Sequence, residues 1–420
     1  MPCRWRWPQG NVRRIRADRI TISANIAGLM IRVLVLDGRQ RAALAVTRSL
    51  GSHGVQVYVA AERIPCLAGA SRFACAQLQC PDPAASTTEF LTWVEKTAVE
   101  NDIDVVFPVT DLTTMILATA SGRASGPRFA CAPEAAYELV SDKARLVELA
   151  LQTAVPVPRT SIARSAEEIR SHLAHASFPL VLKPARSRCL IGERIVSTLV
   201  CVARSRSQAE AYLEEQEWLG HLPCLIQEYI DGYGAGVFAL FAGGRPAAWF
   251  AHRRIREKPP QGGVSVLSES VPVDPQLKDL AARLLDAAHW QGPAMVEFRI
   301  GRDGTPYLME INGRLWGSLQ LAIDCGVDFP WLMLRIARGE TLESAPEYRA
   351  QRLRWFCGDL DNLLLELRGK GLARGAAQKA GALMRFVASG WDPQVRTEVA
   401  RRHDMRPGLH EWYNWVRRTN

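Results

Sequence analysis

With 420 residues, 48% of them apolar and 23% charged, the chain has the composition of a soluble globular protein. It is long enough for about two to four domains and a core that needs no staples. Collagen-like, low-complexity and largely disordered chains are excluded, and no stretch reaches the ~18 uncharged apolar residues of a spanning helix. The net charge of +9 sits at the ends: residues 1–30 hold six Arg and one Asp, residues 345–420 hold 14 Lys/Arg and eight Asp/Glu, and the rest is close to neutral. No groove-reading motif accompanies this charge, so no nucleic-acid partner is expected.

Residues 1–29 carry Arg and Trp but no apolar run of the secretory type, and read as a basic, disordered extension. Met30 directly precedes the first strand and is the simplest translation start; N-terminal sequencing of the native protein tests this. The ten cysteines are scattered, and the spacing of Cys75 and Cys80 fits neither a zinc knuckle nor a redox pair. Most read as small buried hydrophobes of a reducing cytoplasm.

From Met30 to about residue 140 the pattern is α/β. An apolar strand at 31–36, a turn at Asp37-Gly38, a helix at 41–50 and a strand at 55–60 form a parallel βαβ opening. A helix at 90–99 and a strand at 104–109 follow. The latter ends in Pro108-Val-Thr-Asp111, which makes Thr110 and Asp111 either ligand contacts at a strand's carboxyl end or caps of a helix at 112–120. No dinucleotide fingerprint follows the first strand.

Next come a helix at 141–153, a helix near 165–175, a strand at 179–184 ending in Lys183-Pro184, a strand near 194–202, a helix at 207–219 and a strand at 224–230. The run Asp231-Gly-Tyr-Gly-Ala-Gly236 reads as a turn into a strand at 237–242, and Gly243-Gly244 as a hairpin turn back into 246–252. Arg253, Arg254, Arg256 and Lys258 read as a basic loop before Gly262-Gly263, either recognising a carboxylate or simply solvated. A helix at 275–289 precedes a second hairpin. Residues 346–420 read as a basic, partly amphipathic helical region with Trp355, Phe356, Leu360, Leu363 and Leu364 as its packing face. Its charge suits either packing on the rest of the chain or docking to an acidic carrier or membrane surface.

The second hairpin carries the chemistry. Strands at 294–300 and 306–312 flank Asp303-Gly304. With a loop at 302–305, residue 301 pairs with 306, 300 with 307 and Glu297 with Glu310, their Cβ atoms roughly 4.5–5.5 Å apart. Facing carboxylates repel unless a cation or proton lies between them. Asn312, on the same face, adds a neutral oxygen, and an oxygen-only donor set suits Mg²⁺ or Mn²⁺. Arg314 lies just beyond, where a guanidinium can meet a phosphate oxygen. The alternative is a solvated charged sheet face, which a one-residue register slip would restore.

In order, Lys143, Lys183, Gln227-Glu-Tyr-Ile230, Glu297 and Glu310-x-Asn312-x-Arg314 resemble the ATP-grasp superfamily, which includes D-alanine–D-alanine ligase, biotin carboxylase and carbamoyl phosphate synthetase. The runs His252-Arg-Arg-Ile-Arg-Glu-Lys-Pro-Pro260, Gly262-Gly-Val-Ser265 and Met309-Glu-Ile-Asn-Gly-Arg-Leu-Trp-Gly-Ser318 are similar to bacterial predicted ATP-dependent carboligases of that superfamily, distant relatives of the D-aspartate ligases. The likeness covers about residues 31–345.

The resemblance implies an α/β protein with a Rossmann-like N-terminal domain (30–140) and an ATP-grasp domain (141–345). The latter is made of a small α/β lid at about 160–230 and a larger α/β metal-binding lobe, and the helical region (346–420) follows. It implies Lys143 and Lys183 on the ATP phosphates and a hinge of Gln227, Glu228, Tyr229 and Ile230 holding adenine, through the Glu228 carbonyl and the Ile230 N–H. It further implies Glu297, Glu310 and Asn312 on Mg²⁺ (or Mn²⁺), and Arg314 at the transferring phosphoryl group with Lys183. Asp111, Arg253, Arg254, Arg256, Gly262 and Gly263 are the candidate substrate contacts. One departure is plain: where the superfamily carries a glycine-rich phosphate loop, this chain has Ala185-Arg-Ser-Arg-Cys-Leu-Ile-Gly192, so Arg186, Ser187 or Arg188 would stand in by side chain.

The implied activity is a cytoplasmic ligase with small-molecule substrates. A carboxylate becomes an acylphosphate at the expense of ATP and is attacked by an amine. The resemblance is compatible with a homodimer. The alternatives are ATP-dependent carboxylation with bicarbonate, and a nucleotide-binding regulator without turnover.

Overall fold

The computed structural model describes residues 30–121, 126–191, 194–259, 263–342, 347–368 and 375–419. The expectations for residues 1–29 and for Gly262 lie outside them. The N-terminal part alternates β1 (Arg32–Val35), α1 (Arg41–Ser52), β2 (Gln56–Ala61), β3 (Ala74–Gln79), α2 (Thr87–Glu100), β4 (Val105–Phe107), α3 (Asp111–Ala120) and β5 (Arg128–Phe129). All pairings are parallel, in the order β3-β2-β1-β4-β5. This is the expected βαβ architecture, and the ligand end of the sheet is closed by Asp37. Its carboxylate accepts from the Thr113 hydroxyl (2.6 Å) and from the Val109 and Thr110 N–H groups (2.9 Å each).

A helix not expected from the sequence, α4 (Glu134–Ser141), meets the expected helix, α5 (Lys143–Gln152), at Asp142, whose side chain caps α5 through the Ala144 and Arg145 N–H groups. A small unit follows: β6 (Thr160–Ala163), α6 (Ala166–Ala174), β7 (Leu180–Pro184), β8 (Arg188–Ile191), β9 (Arg194–Ser197), β10 (Cys201–Ala203), α7 (Arg206–Glu214) and β11 (Cys224–Glu228). Its antiparallel sheet runs β10-β7-β11-β6, with α6 and α7 packed over Ile169, Leu182, Leu213 and Trp218. The single strand expected near 194–202 is two strands, and the segment replacing the glycine loop forms one arm of the β8–β9 hairpin.

The remaining chain builds a larger sheet: β12 (Gly232–Ala242), β13 (Arg245–Lys258), β14 (Val264–Ser270), α8 (Pro275–Ala287), β15 (Gly292–Gly301), β16 (Pro306–Asn312), α9 (Leu319–Cys325), α10 (Phe329–Ala337), β17 (Arg352–Arg354), α11 (Phe356–Leu367), α12 (Ala376–Trp391), β18 (Val395–Thr397) and α13 (Arg406–Thr419). The strand order is β16-β15-β12-β13-β14-β17-β18. The run Val237–Phe241 is apolar throughout because β12 is covered on both faces. Val237, Ala239 and Phe241 join α8, α4 and α5 on one side, and Phe238 and Leu240 join α1, α9 and α10 on the other.

Three sequence expectations are corrected here. The glycine run 232–236 is strand, not turn: a Cβ at Gly232 would lie 1.9 Å from the Ile300 carbonyl oxygen, so glycine lets β12 run close against β15. The basic segment 253–258 is also strand, with register shifts around Arg256. The C-terminal region is not purely helical, since β17 pairs with β14 and extends the large sheet. In its expected packing face Leu363 is buried, whereas Phe356 is exposed. Arg48 of α1 ties this region to the N-terminal sheet by donating to the carbonyls of Glu398 and Val399 and to the Asp404 carboxylate.

Candidate functional site

The expected carboxylate pair forms. Glu297 on β15 is directly opposite Glu310 on β16. The turn-side register differs from the expected one: Ile300 pairs with Pro306, Arg299 with Tyr307 and Phe298 with Leu308, which leaves Met309 as an extra residue. That bulge restores the Glu297–Glu310 match and breaks the alternation, so Leu308 and Ile311 are both buried while Met309 and Glu310 both line clefts. Asn312 donates its amide to Glu310 Oε1 (3.0 Å) and lies 3.5 Å from Glu297 Oε1. Burial first, and Glu310 second, push the Glu297 carboxyl above the usual range, while Arg254 (Nη2–Oε1 3.2 Å) and Arg314 oppose them.

Two lysines converge on this pair from other elements. Lys143, at the first turn of α5, has its backbone N–H fixed to the Ala185 carbonyl (2.8 Å) and its Nζ 3.9 Å from Glu310 Oε2 and 3.3 Å from Ser187 Oγ. Lys183 points from β7 toward Met309, with Nζ 3.9 Å from Sδ. Burial, reinforced by Lys143, pushes its ammonium down to about 8 against the pull of Glu310 and Glu297.

Lys143 borders two hollows. One is largely apolar, lined by Leu146, Val147, Val157, Leu225, Leu308 and Met309, with Lys183 and Gln227 at its polar margin. The other, about 60 Å³, is bounded on its polar side by Asp111, Tyr137, Ser141, Arg186, Ser187, Arg188, Glu310 and Asn312. Arg314 reaches this side because Gly313 passes under Trp290, where a Cβ would lie 2.4 Å from the indole. Its Nε meets Asp111 Oδ1 at 2.8 Å. Asp111 is therefore a cleft residue, and the cap of α3 is Thr110.

Other expected positions divide. Gln227 lines the apolar hollow and donates to Thr160 Oγ1 (2.9 Å). Glu228 pairs with Arg159, and the Ile230 carbonyl accepts from Arg299, which lies over the Tyr229 ring. Arg254 shares a sheet face with Glu297, but Arg253 faces the other side and pairs with Glu269. Arg256 is taken up by Asp359 (2.8 Å) and Ser389 (2.9 Å), and Lys258 by Asp361, so neither Arg253 nor Arg256 reaches the carboxylate pair. Gly263 is packed against Lys258 and Pro259, away from the pair.

Sequence reasoning missed Glu138, which holds Arg186 through two hydrogen bonds (3.0 and 2.5 Å) and thereby pins the loop after Lys183 to α4. It also missed Tyr137, whose hydroxyl donates to the Asp111 carbonyl (3.0 Å). Among the described residues no cluster of three or more His, Cys, Asp or Glu gathers, so the hard donors at hand are two carboxylates and one amide. A half-buried, facing carboxylate pair whose charges repel fits a divalent cation that keeps some waters and takes further oxygens from a phosphate; turning the Asn312 amide would present its oxygen.

The family model for ATP-grasp in the biosynthetic pathway with Ter operon matches residues 221–356. The chain is 26% identical over 210 residues to D-alanine–D-alanine ligase of Pseudomonas entomophila, covering 48% of this chain and 64% of that one. It superposes on biotin carboxylase of Campylobacter jejuni with TM-score 0.60 and 18% identity, over 75% of this chain and 72% of that one. For the L-amino acid ligase of Bacillus licheniformis the TM-score is 0.58 and the identity 18%, over 77% and 79%. The chain spans between 22% and 64% of the lengths of the curated relatives it matches. Among the described residues no helix is long and apolar enough to cross a membrane. The matched segment and these shared folds give the chain an ATP-grasp fold.

Proposed function

We propose that the protein is an ATP-dependent carboxylate–amine ligase. The observation that carries this reading is the convergence of Lys143 and Lys183, from two elements, on the facing Glu297–Glu310 pair between an apolar and a polar hollow. Adenine would lie at the apolar hollow beside Met309 and Gln227. The phosphates then run past Lys183 and Lys143 toward Glu310. Glu297, Glu310 and Asn312 would hold Mg²⁺, which when bound supplies charge neutralisation at the phosphate oxygens.

A substrate carboxylate oxygen attacks the γ-phosphorus and the bond to the ADP oxygen breaks, giving an acylphosphate. An amine nitrogen then attacks the acyl carbon, the bond to phosphate breaks, and a proton leaves the nitrogen for solvent. The chain's work is to position and to stabilise charge rather than to supply a nucleophile. Arg314, aimed by Asp111, meets the charge that develops on the transferred phosphoryl group. Arg254, beside Glu297, faces the acid substrate. Arg186 serves as a brace for the loop after Lys183, where a glycine loop would otherwise bend by itself.

The test is ADP release over panels of amino acids, short peptides and sugar acids, with hydroxylamine to trap acylphosphate and a separate bicarbonate arm. Acid-dependent hydroxamate with ADP supports the ligase. ADP release driven by bicarbonate alone would establish the carboxylase instead, and nucleotide binding without turnover on any acid would leave a regulator.

A further inference from the structure

The outward side of α12 is apolar without interruption. Ala376, Ala380, Leu383, Met384, Val387 and Trp391 recur at helical spacing on the side opposite buried Ala382, and Met384 and Trp391 are 72% and 84% exposed. The other side is committed: Arg256 donates to Ser389 Oγ and the Arg385 carbonyl, and Arg354 to the Phe386 carbonyl. A second exposed stripe, Met405, Leu409, Trp412 and Tyr413, runs into and along α13. Phe356 packs between the inner side of α12 and the second stripe, its ring 5.9 Å from Phe386 and 6.3 Å from Trp412.

The charge around these stripes has one sign. Among the described residues between Glu366 and Asp392 there is no acid; Arg385 pairs with Glu366, and Arg368 and Lys379 add positive charge. Arg402, Arg406 and Arg417 are exposed along the second stripe. The carboxylates at hand are engaged, Glu366 with Arg385, Asp392 with Arg352 and Glu411 with the Trp355 indole. A second copy would bring the same basic flanks and no counter-charge. We propose that this face docks on an anionic lipid surface, the apolar stripes entering the headgroup boundary and the basic flanks meeting phosphate.

The full chain is sedimented with vesicles of phosphatidylcholine and of phosphatidylcholine mixed with phosphatidylglycerol, and its oligomeric state is read by light scattering. The expected result is at least about tenfold more protein pelleted by the anionic vesicles, reduced by high salt. M384E combined with W391E abolishes pelleting without changing the melting temperature, and K379E weakens it. No pelleting, equal pelleting by neutral vesicles, or undiminished pelleting of the double variant overturns the proposal. A dimer that the double variant converts to monomer, with no vesicle binding, assigns the face to a second copy instead.

Discussion

Glu297 and Glu310 face each other across β15 and β16 because Met309 is an unpaired residue in the ladder. Without the bulge, strand alternation would turn Met309 and Glu310 to opposite faces. With it, the thioether borders the apolar hollow and the neighbouring carboxylate the polar one. The same bulge gives the two lysines adjacent targets, Met309 for Lys183 and Glu310 for Lys143.

Glu310→Gln keeps the shape and removes a charge that the Mg²⁺–phosphate array requires. Turnover falls by on the order of a hundredfold, roughly 2.7 kcal/mol of barrier. In EDTA the melting temperature is unchanged or slightly higher, because a repulsion across the strand pair is relieved. Thermal melts in EDTA beside Mg²⁺-dependent ADP release check this; a variant that is inactive and also melts much lower in EDTA marks a structural ion pair instead.

Lys183 predicts a proton linkage. Its folded pKa of about 8 lies below the ordinary 10.5, so between these values the unfolded chain holds more protons. The stability of the ligand-free protein therefore rises as pH climbs from about 8 toward 10.5, and Lys183→Met flattens that rise. Phosphates beside Nζ favour the ammonium, so nucleotide binding at pH 8 takes up about half a proton. Calorimetry in buffers of different ionisation enthalpy measures the uptake, and equal apparent enthalpies in all buffers would place Lys183 away from the phosphates.

What the sequence made legible was local. Alternation and the Asp303-Gly304 turn gave the hairpin, but the bulge at Met309 was hidden, since one extra residue leaves no mark when Leu308 and Ile311 flank two cleft residues. The segment 253–258 reads as a loop because five of its six residues are charged and only Ile255 is apolar. Glu269, Asp359 and Asp361 make it a strand, and two of these lie in the C-terminal helices, 103 residues from their partners. Asp111 and Arg314 were each picked from sequence, and their pairing was not, because only the packing of the parallel sheet beside β16 brings them together.

Asp111→Asn tests that pairing. The amide keeps one hydrogen bond to Arg314 and loses the charge that helps hold the guanidinium in place against burial. With Asp111 as a positioning residue, kcat falls about tenfold while the KM for ATP changes less than twofold, since Lys143 and Lys183 still hold the nucleotide. Arg314→Lys, which removes the fork itself, costs more in kcat than the asparagine change. Parallel losses in kcat and in ATP affinity for Asp111→Asn would instead make it a nucleotide contact.

Removing residues 346–420 tests how far the C-terminal region belongs to the catalytic body. The truncation strips β17 from β14 and leaves an exposed edge strand. It also takes Leu353 and Val399 out of the core shared with α1 and β12. Arg48 loses its hydrogen bonds to Glu398, Val399 and Asp404 together. The expected product is aggregated or melts far below the full chain. Arg48→Met in the intact chain gives a smaller loss in the same direction, and Arg48→Met with Asp404→Leu recovers part of it. Urea unfolding of the point variants and light scattering of the truncation make the measurement, and a soluble, active truncation would show that the region packs on the enzyme without supporting it.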